Sequence, residues 1–130
     1  MIELNDVSKT FTLHNQGGAV IPVISGAHLR VMPGECVALT GNSGAGKSTL
    51  MRMIYGNYLA SGSIMVGDTD VASATPREVL QLRREVLGYV SQFLRVVPRV
   101  PTIEVVAEPL LALGTDREVA LSHARNLLSR

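Results

Sequence analysis

Residues 41–49, GNSGAGKST, match the phosphate-binding loop pattern Gly-x-x-x-x-Gly-Lys-Ser/Thr at every fixed position, and they follow a run, Glu35 to Thr40 (ECVALT), that reads as a buried strand. Glycines at 41, 44 and 46 let the backbone fold tightly enough for successive N–H groups, from Gly41 and Asn42 through Ser43, Gly44, Ala45 and Gly46 to Thr49, to face phosphate oxygens. Lys47 then reaches the β- and γ-phosphates, and Ser48 offers a hydroxyl to Mg²⁺. A helix starting near Lys47 turns its positive end toward the anion. The expected ligand is a nucleoside triphosphate.

Before the loop the chain reads as short strands: Met1 to Val7, Lys9 to Leu13, Val20 to Ile24 and His28 to Val31, separated by polar or Gly-rich breaks. They predict a small antiparallel β-layer. After it, Lys47 to Tyr58 reads as a helix and Ser63 to Val66 as a strand leading into a turn at Gly67-Asp68. Thr75-Pro76-Arg77-Glu78 has a capping hydroxyl, proline at the first helical position and Glu three residues beyond the cap; the helix it opens puts Val79, Leu82 and Val86 on one face. Leu87 to Gln92 (LGYVSQ) reads as a second core strand and Thr102 to Leu113 as a helix stopped by Gly114. Thr115-Asp116-Arg117-Glu118 repeats the capping pattern for a last helix with Ala120, Ala124, Leu127 and Leu128 inside.

With 130 residues the chain has the size of one domain, and 12 Lys plus Arg against 11 Asp plus Glu gives no reason to expect nucleic acid as a partner. The single cysteine, Cys36, sits in the apolar run before the loop, where a buried thiol is expected, and no internal disulfide is possible. The start, MIELND, lacks the basic, apolar character of a signal peptide, and no apolar run approaches the roughly 20 residues of a membrane span. A cytoplasmic protein without direct membrane insertion is expected.

In small kinases the phosphate loop comes within the first strand and turn, whereas here a whole β-layer precedes Gly41. With that placement, an aromatic at Phe11, the step Gly34-Glu35 before the nucleotide strand and a later strand ending in Ser91-Gln92, the chain resembles ATP-binding cassettes. The resemblance implies an α/β fold, a P-loop NTPase of the ATP-binding-cassette type, with an N-terminal antiparallel β-layer, a partial parallel core and part of a helical subdomain. It implies ATP and Mg²⁺ as ligands, Phe11 stacked on adenine, Ser48 and Gln92 on the metal, and Lys47 and Gln92 as the catalytic pair, Gln92 also meeting the attacking water. Base stacking of this kind is worth on the order of 1–3 kcal/mol.

More narrowly, Val90 to Leu111 (VSQFLRVVPRVPTIEVVAEPLL), the opening VSKTFTLH and Tyr58-Leu59 resemble the PhnL family of cassette subunits from the bacterial phosphonate carbon–phosphorus lyase system. Lipoprotein-export cassettes have a related segment, but usually with Phe before the glutamine and Asn after it, where this chain has Ser91 and Phe93. The resemblance implies an ATP-binding subunit that couples ATP binding and hydrolysis to phosphonate catabolism. Its partners would be a second cassette, in a homo- or heterodimer, and the lyase core subunits, docked through Phe93, Leu94, Arg95 and Arg99. The chemistry of phosphonate transfer to ATP would belong to other subunits. The alternatives are the ATPase subunit of a lipoprotein or peptide exporter, and a nucleotide-binding regulatory piece without turnover.

A complete cassette also needs a Ser-Gly-Gly-Gln-like signature, an apolar strand ending in Asp-Glu and a later switch histidine, and none occurs. The last helix meets Arg130 without a stop signal, so the chain reads as one partial nucleotide-binding domain, residues 1–130, that binds Mg²⁺ATP without turning it over. Val105-Val106-Ala107-Glu108-Pro109 has helical spacing, which makes Glu108 helix surface; His14, His28 and His123 have no metal-site spacing; Asp68 and Asp70 read as turn and surface groups.

Overall fold

The computed structural model of the chain describes residues 1–14, 17–91 and 97–130. They form two compact units, Met1–Leu80 and Gln81–Arg130.

In the first unit two long strands, β1 (Ile2–Leu13) and β2 (Ala19–Val31), pair antiparallel from Ile2↔Val31 to Leu13↔Ala19. Each replaces two of the expected short strands. The polar breaks are bulges, with register slips between Leu4 and Val7, Val7 and Lys9, and Lys9 and Thr10. At the bend Asp6 and Gly26 are both left-handed, φ 51° and 56°, and the Gly26 N–H donates to Ser8 Oγ at 2.8 Å. A bulge accommodates extra residues and bends a strand without ending its pairing.

On the other edge of β1 lie β3 (Ser61–Val66) and β4 (Thr69–Asp70), giving an antiparallel sheet in the order β2-β1-β3-β4. The expected turn at Gly67-Asp68 joins β3 to β4, with Val66 opposite Thr69. Leu4 faces Ile64 across the β1–β3 ladder, and these two, Val7, Val66 and Val71 are buried with Met53 and Ile54 from the following helix. Asp70 is more than a surface group: its carboxylate accepts from the N–H groups of Ile64 (3.0 Å) and Ala72 (3.1 Å) and from the Ser63 hydroxyl (3.1 Å), latching the hairpin.

Helix α1 (Lys47–Ile54) stops short of Tyr58 because Gly56 turns left-handed at φ 74°. The Gly56 and Asn57 N–H groups donate to the carbonyls of Met53 (2.9 Å) and Arg52 (2.8 Å), the paired bonds that close a helix on glycine. Helix α2 (Pro76–Glu85) opens on the expected capping box. The Thr75 N–H and hydroxyl donate to Glu78 Oε2 at 2.8 and 2.7 Å, and the Glu78 N–H reaches back to Thr75 Oγ1 at 3.3 Å. The Thr75 hydroxyl, then its N–H, hold the Glu78 carboxyl below the usual carboxylate range. Leu82 is buried as expected, but Val86 is 64% exposed, since the helix has ended at Glu85.

The second unit pairs α3 (Thr102–Ala112) with α4 (Arg117–Leu128) around Ala107, Ala120 and Ala124, flanked by Ile103, Val106, Leu110, Leu111 and Leu121. Alanines at the contact let the helices approach closely. Gly114, φ 85°, ends α3 as expected, and Glu108 is exposed. The cap of α4 is Asp116 rather than Thr115: its carboxylate accepts from the N–H groups of Glu118 (2.9 Å) and Val119 (3.3 Å). Leu127 and Leu128, expected inside, are exposed, because they lie past the last buried turn at Ala124. Arg117 and Glu104 form a surface ion pair at 2.7 Å, worth about 0–1 kcal/mol.

Among the described residues neither Glu35–Thr40 nor Leu87–Ser91 forms a strand, and Val37 and Val90 are exposed. A parallel ladder forms only between adjacent strands, and among the described residues both segments lie outside the sheet of order β2-β1-β3-β4. Cys36 is accordingly exposed, not buried. No helix among the described residues is long and apolar enough to cross a membrane.

Candidate nucleotide-binding site

The site begins where α1 begins. Gly46, its N-cap, is left-handed (φ 84°, ψ 0°), and no side chain caps the helix or puts a carboxylate in its first turn. The leading N–H groups are therefore available to an external acceptor, and the helix dipole favours an anion there. Gly46 is buried against β2: a Cβ on it would lie 2.6 Å from Ile24 Cδ1 and 3.1 Å from the Val23 carbonyl oxygen. Only glycine fits this close approach in that backbone conformation.

The Lys47 ammonium donates to the carbonyls of Gly41 and Asn42, both at 2.7 Å, so its charge is held against the start of the loop. The Ala45 N–H closes a turn on the Asn42 carbonyl at 3.2 Å, and Gly44 is left-handed at φ 83°. Asn42, Ser43, Ala45 and Ser48 are exposed and Thr49 is half-buried. A lysine ammonium, an uncapped helix N-terminus and a loop without acids make a donor set that fits a triphosphate.

Phe11, half-buried on β1, is held by a cluster that sequence reasoning missed. Its ring meets Tyr58 edge to face, with centroids 5.3 Å apart and planes at 84°. Lys9 Nζ lies 5.1 Å from the Phe11 centroid and 5.8 Å from that of Tyr58, and donates to the Leu59 carbonyl at 2.7 Å. Arg52 Nη1 donates to the Tyr58 hydroxyl at 3.0 Å. The sequence signal was a tyrosine just past the end of α1, close enough along the chain to fold back onto Arg52.

Gln92, Phe93, Leu94 and Arg95 lie outside the described residues. Arg99 is exposed at φ 65° in a turn closed by the Val100 N–H on the Val97 carbonyl at 3.3 Å. His28 Nδ1 accepts from the Asp6 N–H at 3.5 Å, His14 and His123 are exposed, and Asp68 is an exposed turn residue. Among the described residues no three His, Cys, Asp or Glu side chains are grouped to hold a metal.

A family model described as ABC transporter matches residues 24–129, which take in the second half of β2, the phosphate loop, α1, the β3–β4 hairpin and helices α2, α3 and α4. The chain belongs to the ABC transporter family. Among its curated relatives is the "Lipoprotein-releasing system ATP-binding protein LolD" of Novosphingobium aromaticivorans, 39% identical over 99% of this chain and 57% of the relative. Another is the "Macrolide export ATP-binding/permease protein MacB" of Sodalis glossinidius, 35% identical over all of this chain and 20% of that protein. The ABC fold is matched by the ATP-binding cassette MJ0796, solved as a dimer in a post-hydrolysis state with ADP and Pi, at a TM-score of 0.89 and 26% identity, over 99% of this chain and 56% of that one. This ABC chain thus spans about half the length of the LolD relatives and solved cassettes it matches.

Proposed function

We propose that the chain is the nucleotide-binding part of an ABC ATPase, which takes up ATP with Mg²⁺ on residues 41–49 and passes the resulting change of state to a partner. The observation that carries it is the Lys47 ammonium held at the loop's start, beside an uncapped α1 N-terminus. In use, Lys47 and the loop N–H groups would hold the β- and γ-phosphates, the Ser48 hydroxyl would meet the metal, and Phe11 would offer a ring to the base. Bound Mg²⁺ would neutralise charge across the phosphates. Gln92 would orient the attacking water, and a second cassette would complete the site; the dimer of MJ0796 supports such pairing.

Titration with ATP tests this directly. Lys47→Ala should lose a charge-assisted contact worth about 1.5–3 kcal/mol, weakening binding at least tenfold. Unchanged affinity would mean that the loop is not the site.

Two systems could use such a subunit. The LolD and MacB relatives favour export of lipoproteins or other cargo, with membrane proteins as partners, over phosphonate breakdown. A specific observation favours the second: residues 90–101 carry Ser91 and Phe93-Leu94-Arg95 where export cassettes usually have Phe before and Asn after the glutamine. Docking through Phe93, Leu94, Arg95 and Arg99 belongs to that second possibility. Deletion of the gene separates them: loss of growth on methylphosphonate as sole phosphorus source points to the lyase system, and lipoproteins retained in the inner membrane point to export.

A further inference from the structure

We propose that Tyr58 is a positioning residue for the base: it fixes the ring of Phe11 in the orientation that receives a nucleobase. The proposal rests on the reading that Phe11 stacks on the base. A phenylalanine on a strand can swing about two side-chain torsions, and a swinging ring must be ordered again each time a base arrives. Here the edge-to-face contact at 5.3 Å and 84° restricts that freedom before binding.

Tyr58 is itself held by two cations, Arg52 and Lys9. Its hydroxyl accepts from Arg52 at 3.0 Å, the Arg52 guanidinium carbon lies 5.9 Å from its ring centroid, and Lys9 Nζ lies 5.8 Å from the same centroid. Lys9 is in turn pinned to the Leu59 carbonyl at 2.7 Å. Because Arg52 sits on α1, whose first residue is Lys47, one rigid helix carries both the phosphate contact and the support for the aromatic platform. Tyr58 is only half-buried, so filling a core does not account for this set of contacts.

The test compares the affinities of ATP and inorganic tripolyphosphate, by competition against a fluorescent ATP analogue, in the wild-type chain and in Phe11→Ala, Tyr58→Leu and Tyr58→Phe. Tyr58→Leu keeps much of the volume without the ring and should weaken ATP about 2- to 10-fold while leaving tripolyphosphate unchanged. Tyr58→Phe keeps the ring and should recover most of the ATP affinity. Equal weakening of both ligands by Tyr58→Leu, including loss of both through misfolding, would assign Tyr58 to the fold of this region and overturn the proposal. So would wild-type ATP affinity in Tyr58→Leu alongside a weakened Phe11→Ala, an outcome that leaves base stacking intact. If Phe11→Ala itself binds ATP normally, base stacking on Phe11 is wrong, and the proposal falls with it.

Discussion

Alanine at Gly46 and at Gly44 separates the two costs that shape the phosphate loop. Both glycines are left-handed, at φ 84° and 83°, so each alanine pays about 1–2 kcal/mol for that backbone. They differ in surroundings. Nothing lies within 4 Å of a Cβ on Gly44, whereas on Gly46 it would sit 2.6 Å from Ile24 Cδ1 and 3.1 Å from the Val23 carbonyl. The isoleucine methyl is the end of a flexible side chain and can rotate away, but the carbonyl belongs to the β2 backbone and can shift only slightly. Overpacking of this kind costs typically about 1–3 kcal/mol, so Gly46→Ala should cost about 2–5 kcal/mol against about 1–2 for Gly44→Ala. Against a typical domain stability of about 5–15 kcal/mol the Gly44→Ala loss leaves a folded chain, whereas the upper end of the Gly46→Ala loss reaches the lower end of that range. Urea unfolding followed by far-UV circular dichroism measures both, since the chain has no tryptophan to report by fluorescence. Equal losses at the two positions would refute the seating of the loop on β2.

Phe11→Ala should weaken ATP and GTP alike by about 1–3 kcal/mol while Phe11→Tyr is nearly neutral, as isothermal titration will measure; a loss confined to one base would exclude simple stacking. Glu78, whose carboxyl is held below its usual range by Thr75, contributes stability that is complete above the ordinary carboxylate range and fades as pH falls through its lowered folded value. Glu78→Gln, with no such proton to bind, should be less stable at neutral pH and fall less steeply on acidification, read from urea midpoints over a pH series. Asp116→Ala should cost about 1 kcal/mol and Thr115→Ala much less, because only Asp116 caps α4; the reverse order in thermal melts would restore Thr115 as the cap.

The features legible in the sequence were those fixed by residues close together in the chain. The phosphate loop, the Thr75–Glu78 capping box, the Gly67-Asp68 turn and the Gly114 stop depend on local backbone chemistry, and each sits where its residues predict. Features decided by distant partners were not legible. Gly26 looks like a break, but across the ladder it bonds to Ser8 at a register slip and so sits in a bulge. Glu35–Thr40 has the composition of a buried strand, but burial is decided by what packs on a segment, and Cys36 is exposed. Tyr58 carries no local mark of its contact with Phe11, which depends on the register of β1 against the end of α1. At the start of α4, Thr115 and Asp116 both have capping side chains, and adjacent oxygens competing for the same N–H groups are not ranked by pattern alone.

An ammonium group has three hydrogens, and Lys47 commits two of them to the carbonyls of Gly41 and Asn42. The third remains for a phosphate oxygen, so the lysine can gain the ligand without letting go of the loop. It works as a staple on the loop as well as a counter-charge to the phosphates. Replacing it therefore slackens the loop before any nucleotide arrives, and the order lost must be restored at binding. The affinity lost in Lys47→Ala is thus an upper bound on the phosphate contact itself, and part of it belongs to a loop that no longer waits in shape.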